Sequence, residues 1–303
     1  MSKSNFNGLI AAAFSPMDSN GSLDLSRIDD YAGILATQGC TGVFVNGSSG
    51  EGVSLSGDER WAAAQRWCEE GRRAGLRVIV HVGGTNPRDC RSLAEHAARI
   101  GADAISTVPP SYYKPASLDH LIAFLQDITF CSGDSPLYYY HIPRITGVDI
   151  VVADLLTAAS RSMPNLAGAK FSHSELDDFA QCVAMDGGKY NMLFGLDEML
   201  LPALSVGAQG AVGTTYNFAG RLYNRLMESF REGDMPRARD EQQRAIRMIS
   251  ILKRRGFYAS AKATMDLIGL PCGTVRPPLL PLSKGDKAQL RADLEEIGFF
   301  DWR

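Results

Sequence analysis

Short apolar runs alternate along the chain with longer stretches whose apolar residues return at helical spacing. Eight runs recur in order: Leu9–Phe14, Gly42–Val45, Val78–Val82, Ala104–Val108, Leu137–Tyr140, Leu166–Phe171, Met192–Phe194 and Ala211–Thr215. Several are almost wholly apolar instead of alternating, as expected of parallel strands covered on both faces. The stretches between them predict helices at Asp24–Gln38, stopped by Gly39, and at Asn86–Ile100, stopped by Gly101. Ser56 to Glu59 has the spacing of a capping box and opens another. Ser117–Phe130, Asp149–Ser160, Ser174–Val183, Asp197–Val206 and Phe218–Arg231 complete the set. Strand–helix units in this number predict the α/β class and, within it, a (β/α)8 TIM barrel. A doubly wound open sheet is the alternative. It would more often carry a glycine-rich phosphate loop after its first strand, where this chain reads Ala-Ala-Phe-Ser-Pro. From Gly233 onward no strand pattern remains. Met235–Lys253, Tyr258–Leu267 and Lys284–Ile297 predict three helices, with prolines at 271, 277, 278 and 281 between the last two. We therefore expect a catalytic barrel over residues 1–232 and a helical C-terminal extension over 233–303, packed on it.

Composition narrows the function. The 303 residues carry a formal net charge of −3, so no basic excess invites nucleic acid or an anionic membrane surface. No apolar run reaches the roughly 18 residues that span a bilayer. The first residues lack the apolar core of a signal peptide, which makes the cytoplasm the expected compartment. The six cysteines, at 40, 68, 90, 131, 182 and 272, form no CxxC pair and read as reduced, mostly buried thiols. Neither a metal-ligand spacing nor a cofactor motif is visible, so no metal or cofactor is expected in the chemistry.

In such a barrel, functional groups collect at the C-terminal ends of the strands. Strand two ends in Asn46-Gly-Ser-Ser-Gly-Glu-Gly52, where Ser48, Ser49 and backbone amides can receive a carboxylate; a polar turn without a ligand explains the same residues. Strand five ends in Tyr138-Tyr-Tyr-His-Ile-Pro143, with Tyr138 and Tyr140 on one face and His141 on the other as a structural imidazole. A phenol there can move protons if its pKa is lowered, or it can simply pack with a hydrogen-bonded hydroxyl. Strand six carries Lys170 inside an apolar run. Burial disfavours its charge and leaves an amine able to attack a carbonyl; a snorkelling or ion-paired lysine is the alternative. Ser172 lies two residues on, and Ser172 to Glu175 also has a capping spacing. Strand seven ends in Gly195-Leu-Asp-Glu198, whose acids suit substrate hydroxyls or equally the first turn of the next helix. Thr214 follows strand eight. Together these residues suit capture of an α-keto acid, with its ketone at Lys170, its carboxylate at Ser48 and Ser49, and a proton handled by Tyr140.

Several of these segments resemble the pyruvate-dependent class I aldolase superfamily that contains the dihydrodipicolinate synthases and the N-acetylneuraminate lyases. Gly47-Ser-Ser-Gly-Glu51 is similar to its GxxGE motif, and Tyr140-His-Ile-Pro-Arg-Ile-Thr-Gly147 to its Y-x-[IV]-P-x-x-[TS]-G motif. Lys170 falls where that family keeps its Schiff-base lysine. Gly168-Ala-Lys-Phe-Ser172, Asp178-Phe-Ala-Gln-Cys-Val183, Phe194-Gly-Leu-Asp-Glu198 and Gly210-Ala-Val-Gly-Thr-Thr-Tyr-Asn217 resemble the lyase branch, the animal type above all. The resemblance runs from about residue 7 into the C-terminal helices. It implies that Lys170 is the nucleophile and Tyr140 the proton carrier. It further implies that Gly195, Asp197, Glu198 and Thr214 hold the polyol of a sugar acid, with Ser172 as a further hydroxyl. Ser49 stands where threonine is common. Ile145, not arginine, stands where the synthases hold a dicarboxylic substrate, with Arg144 one position early. Tyr112 and Tyr113 resemble an aromatic pair of which one ring reaches a neighbouring subunit's site, and a homotetramer is implied.

The expected reaction is cleavage of sialic acid into N-acetylmannosamine and pyruvate through a Lys170 iminium. The rivals are a sister aldolase for another keto acid, a silent keto-acid or sialic-acid sensor, and a phosphate-binding isomerase barrel. For the last, Gly207-Ala-Gln-Gly-Ala-Val-Gly213 is only a weak match.

Overall fold

The computed structural model describes residues 5–303. Eight strands close into one parallel barrel in sequence order: β1 Gly8–Ala12, β2 Cys40–Val45, β3 Arg77–His81, β4 Ala104–Thr107, β5 Leu137–His141, β6 Leu166–Phe171, β7 Asn191–Phe194 and β8 Gly210–Gly213. The ring shuts between β1 and β8, where Leu9 pairs with Ala211. The open-sheet alternative is thereby excluded.

Helices cover the outside: α1 Ile28–Thr37, α2 Gly57–Arg73, α3 Pro87–Arg99, α4 Leu118–Phe130, α5 Pro143–Thr146, α6 Val152–Ala159, α7 Leu176–Ala184, α8 Leu200–Ser205 and α9 Tyr216–Arg231. Their starts obey the local code. Ser56 accepts from the Glu59 amide at 3.2 Å while the Glu59 carboxylate accepts from the Ser56 amide at 2.8 Å, a closed capping box worth about 1 kcal/mol. Asn86 caps α3, whose first residue is Pro87, and Ser117 caps α4. After the barrel come α10 Met235–Lys253, α11 Phe257–Leu267, α12 Lys284–Glu296 and the short α13 Phe299–Trp302. The last was not foreseen: a single turn after Gly298, which has a positive φ of 71°, is too short to leave a periodic signal. The extension packs along the barrel through α10 against α9.

Two apolar layers result. The outer one lies between sheet and helices. The inner one fills the barrel with Ile10, Phe44, Ile79, Tyr138, Leu193 and Val212 among others. The period-two rule sends Tyr138 and Tyr140 inward, whereas Tyr139 joins the outer layer. At the lower end Tyr138 Oη donates to Asn191 Oδ1 at 2.7 Å, and the Phe6 amide donates to the same oxygen at 2.8 Å. All six cysteines are free of disulfides, and five are buried. Among the described residues no helix is long and apolar enough to cross a membrane.

Candidate active site

Register places the central pair. β5 and β6 run side by side with Tyr140 opposite Lys170, both on the inner face near the C-terminal rim. Lys170 is only 4% exposed. Its Nζ lies 4.0 Å from the centre of the Tyr140 ring and 4.2 Å from that of Phe44. No carboxylate pairs with it among the described residues. Desolvation therefore dominates and lowers its pKa to about 7, with the charge of Asp197 pulling weakly the other way. An amine in this state is substantially neutral at neutral pH, the form that adds to ketones.

Tyr140 departs from the simplest expectation. Burial raises its pKa instead of lowering it, and the Ser48 and Ser172 hydroxyls only partly offset that. Its Oη stands 3.5 Å from Ser48 Oγ. In the resting site the phenol is thus a proton donor first. Beside Ser48, Ser49 Oγ bonds Thr214 Oγ1 at 2.6 Å, which ties the β2 loop to the β8 loop. Ser172 Oγ is buried and faces the phenol without closing a hydrogen bond to it or to any other group among the described residues. Gly195 explains how it fits: a β-carbon at position 195 would collide with that oxygen.

Asp197 is 6% exposed and accepts from both the amide and the hydroxyl of Thr215, at 2.8 and 2.6 Å. Desolvation still raises it to about 6. Glu198 pairs with Lys253 at 2.7 Å. Both acids also begin a helical turn, Asp197–Met199, so the two readings of this segment coexist. Gln242 of α10 steadies the turn by donating to Asp197 O at 3.3 Å and accepting from the Leu201 amide at 2.8 Å.

Ser48, Ser49, Tyr140, Lys170, Ser172, Gly195, Asp197, Glu198 and Thr214 all line one cavity of about 190 Å³. Tyr112 and Tyr113 do not. They lie 79% and 86% exposed on the loop after β4, edge to face at 5.0 Å. Sequence reasoning set Arg144 one position away from a substrate arginine and missed Lys253, Phe257 and Tyr258 altogether, yet Arg144, Lys253, Phe257 and Tyr258 also line the cavity. The last three come from the ends of α10 and α11 that reach over the barrel mouth; the Phe257-Tyr258 pair beside Gly256 was the available signal. Burial pushes Tyr258 up to about 12 despite its bond to Ser48. A larger cavity, about 520 Å³, lies between the β1 loop and the extension; the one lysine lining it, Lys287, is paired with Asp266 at 3.1 Å.

The GxxGE segment has a second job. Glu51 sits in the left-handed region at φ 54° and is 4% exposed. Its carboxylate accepts from Lys262 Nζ at 2.9 Å and from the Arg276 amide at 2.8 Å. The loop that presents Ser48 and Ser49 is thus anchored on the C-terminal extension.

With this geometry in place, the family model of the dihydrodipicolinate synthetase family matches residues 5–297. The chain belongs to that family. Among curated relatives, the human N-acetylneuraminate lyase is 42% identical over 307 residues, covering 99% of this chain and 95% of the human one. The rat lyase is 40% identical over the same length, with the same shares covered. Among solved structures, the Proteus mirabilis N-acetylneuraminate lyase superposes with a TM-score of 0.95 at 35% identity, covering 98% of this chain and all of its own. The Ruminococcus gnavus sialic acid aldolase gives 0.91 at 29%, with 97% of each chain covered.

Proposed function

We propose that this carbon–carbon lyase cleaves N-acetylneuraminate to N-acetylmannosamine and pyruvate through a Schiff base on Lys170. The observation that carries the proposal is an unpaired, buried amine with a pKa of about 7, in register with a phenol, on a chain about 40% identical throughout to lyases of that name.

The geometry suggests an order of proton transfers. Ser48, Ser49 and nearby amides hold the carboxylate of the open-chain substrate. Neutral Lys170 adds to C2. Tyr140, held protonated by burial, gives its proton to the departing hydroxyl, so water leaves and an iminium remains. The cation next to the phenolate then stabilises it, and this resolves the raised pKa. Tyr140 takes the C4 hydroxyl proton as the C3–C4 bond breaks, and the bonding electrons pass into the iminium to give an enamine. Protonation and hydrolysis release pyruvate and free Lys170. Asp197, Glu198, Thr214, Gly195 and Ser172 would face the polyol and select the sugar by matched hydrogen bonds. Glu198 would share its carboxylate between Lys253 and substrate.

A homotetramer in the cytoplasm, with Tyr112 or Tyr113 at a subunit contact, belongs to the same proposal. So does the division into a barrel over 1–232 and an extension over 233–303. Arg144 at the cavity rim gives one reason to keep a sister synthase in view, since a second carboxylate can meet it. The test is pyruvate release from N-acetylneuraminate, run beside 2-keto-3-deoxygluconate, and consumption of pyruvate with aspartate semialdehyde. Turnover on the first is expected to exceed the others by orders of magnitude; a preference for either of the others would overturn the substrate assignment.

A further inference from the structure

On the outer side of β5 and β6, away from the amine, three side chains converge. His141 ends β5 and lies beside Phe171, ring centres 5.1 Å apart, and edge to face with His173 at 5.5 Å. One donor atom each from His141, Asp149 and His173 lie within 4.8 Å of one another. His141 is 1% exposed, and its Nδ1 has no hydrogen-bond partner. A buried polar atom left in this way is unfavourable unless something fills the place of the partner. His173 is half-buried and Asp149 exposed, and among the described residues neither side chain is committed to a hydrogen bond or ion pair.

We propose that His141, Asp149 and His173 form a binding site for a divalent transition-metal ion, Zn²⁺ foremost, separate from the catalytic cavity. Two imidazoles and one carboxylate are the donor set of zinc and its neighbours, whereas Mg²⁺ and Ca²⁺ want oxygen alone. Ligand atoms around tetrahedral zinc lie roughly 3.4 Å apart, given Zn–N and Zn–O distances near 2.1 Å. The buried His141 is fixed, and small rotations of the more exposed Asp149 and His173 close the difference. Asp149 and His173 also line a cavity of about 420 Å³ that leaves room for water as the remaining ligand. The nearby Asp178 is already engaged by the Val152 and Ala153 amides, at 2.8 and 3.0 Å, and stays outside the set.

The ion would tie three segments together. His141 adjoins Tyr140, and its carbonyl accepts from the Ser172 amide at 2.8 Å, so the site braces the rim where β5 and β6 present their catalytic groups. Its role is to stabilise, and no bond of the substrate is made or broken there. The spacing His-x7-Asp-x23-His fits no short motif, which is why the sequence alone does not reveal it.

The test is titration of chelator-treated full-length protein with ZnCl₂ by calorimetry, with Co²⁺ absorption and thermal unfolding in parallel. One Zn²⁺ per chain is expected, with a rise in unfolding temperature. His173→Ala and Asp149→Asn sit at the more exposed positions and are expected to unfold like the native chain without metal. Each should weaken binding by at least the 10- to 100-fold known for loss of a mere supporting group. Absence of saturable binding would overturn the proposal. So would unchanged affinity in the double variant, or a thiolate charge-transfer band in the Co²⁺ spectrum, which would put the ion on cysteine.

Discussion

Lys170 and Lys262 are buried almost equally, 4% and 1% exposed, yet they are set to do opposite things. Lys262 lies on α11 and meets the Glu51 carboxylate at 2.9 Å, itself out of water. Lys170 lies on the inner face of β6 against two aromatic rings, with only the more distant charge of Asp197 for company. Burial lowers both, but Glu51 pulls Lys262 back towards the ammonium. Desolvation alone does not make a nucleophile. Desolvation without a paired carboxylate does. Lys262 holds the Ser48–Ser49 loop to the extension; Lys170 is the amine left free for the ketone of the proposed reaction.

The contrast can be broken by substitution, and the largest effect belongs to Lys170. Lys170→Ala is expected to lower turnover of N-acetylneuraminate by about 10⁴-fold or more, the usual scale for a covalent nucleophile, while Lys262→Met leaves measurable turnover. Comparable loss in the two would erase the distinction. Tyr140→Phe comes next. Removing the proton carrier should cost roughly 10²- to 10⁴-fold in kcat, with pyruvate trapping at Lys170 slowed but not abolished. On stability, Glu51→Gln leaves Lys262 charged and alone, and should destabilise the fold by about 3–5 kcal/mol in denaturant unfolding. Most of that should return in Glu51→Gln with Lys262→Met. The smallest effect is a gain. Lys170→Met removes an unpaired buried ammonium and should stabilise the protein at pH 6 by about 1 kcal/mol or more.

The sign of the pH dependence follows from the same lysine. Its folded pKa, about 7, lies below the ordinary 10.5, so between those values the unfolded chain binds more protons. Stability from this group therefore rises with pH from about 7 towards 10 and is lowest below 7. That slope should be missing in Lys170→Met.

Much of the fold was legible because parallel barrel strands are apolar on both faces, and all eight runs became strands. The misread ends have local causes. Asn191 begins β7 one residue ahead of the apolar run, its side-chain amide spent on Phe6 and Tyr138 at the barrel floor. Cys40 and Thr41 begin β2 ahead of the more apolar run. The rim residues on strand ends were legible because strand position fixes which way they face. Lys253, Phe257 and Tyr258 were not, since helical periodicity says which face is buried without saying against what. Nor was the partnership of Glu51 with Lys262, 211 residues apart. Direction of a pKa shift was the subtlest failure: Tyr140 was expected to need lowering, yet in the closed cavity its desolvation outweighs the two hydroxyls that face it.

The decisive measurement is borohydride trapping with pyruvate across pH 5 to 10, followed by peptide mapping. A single adduct on Lys170, whose initial rate rises with pH to a midpoint near 7, is expected. An adduct on another lysine, or a midpoint near that of an ordinary lysine, would contradict the neutral buried amine on which the chemistry rests.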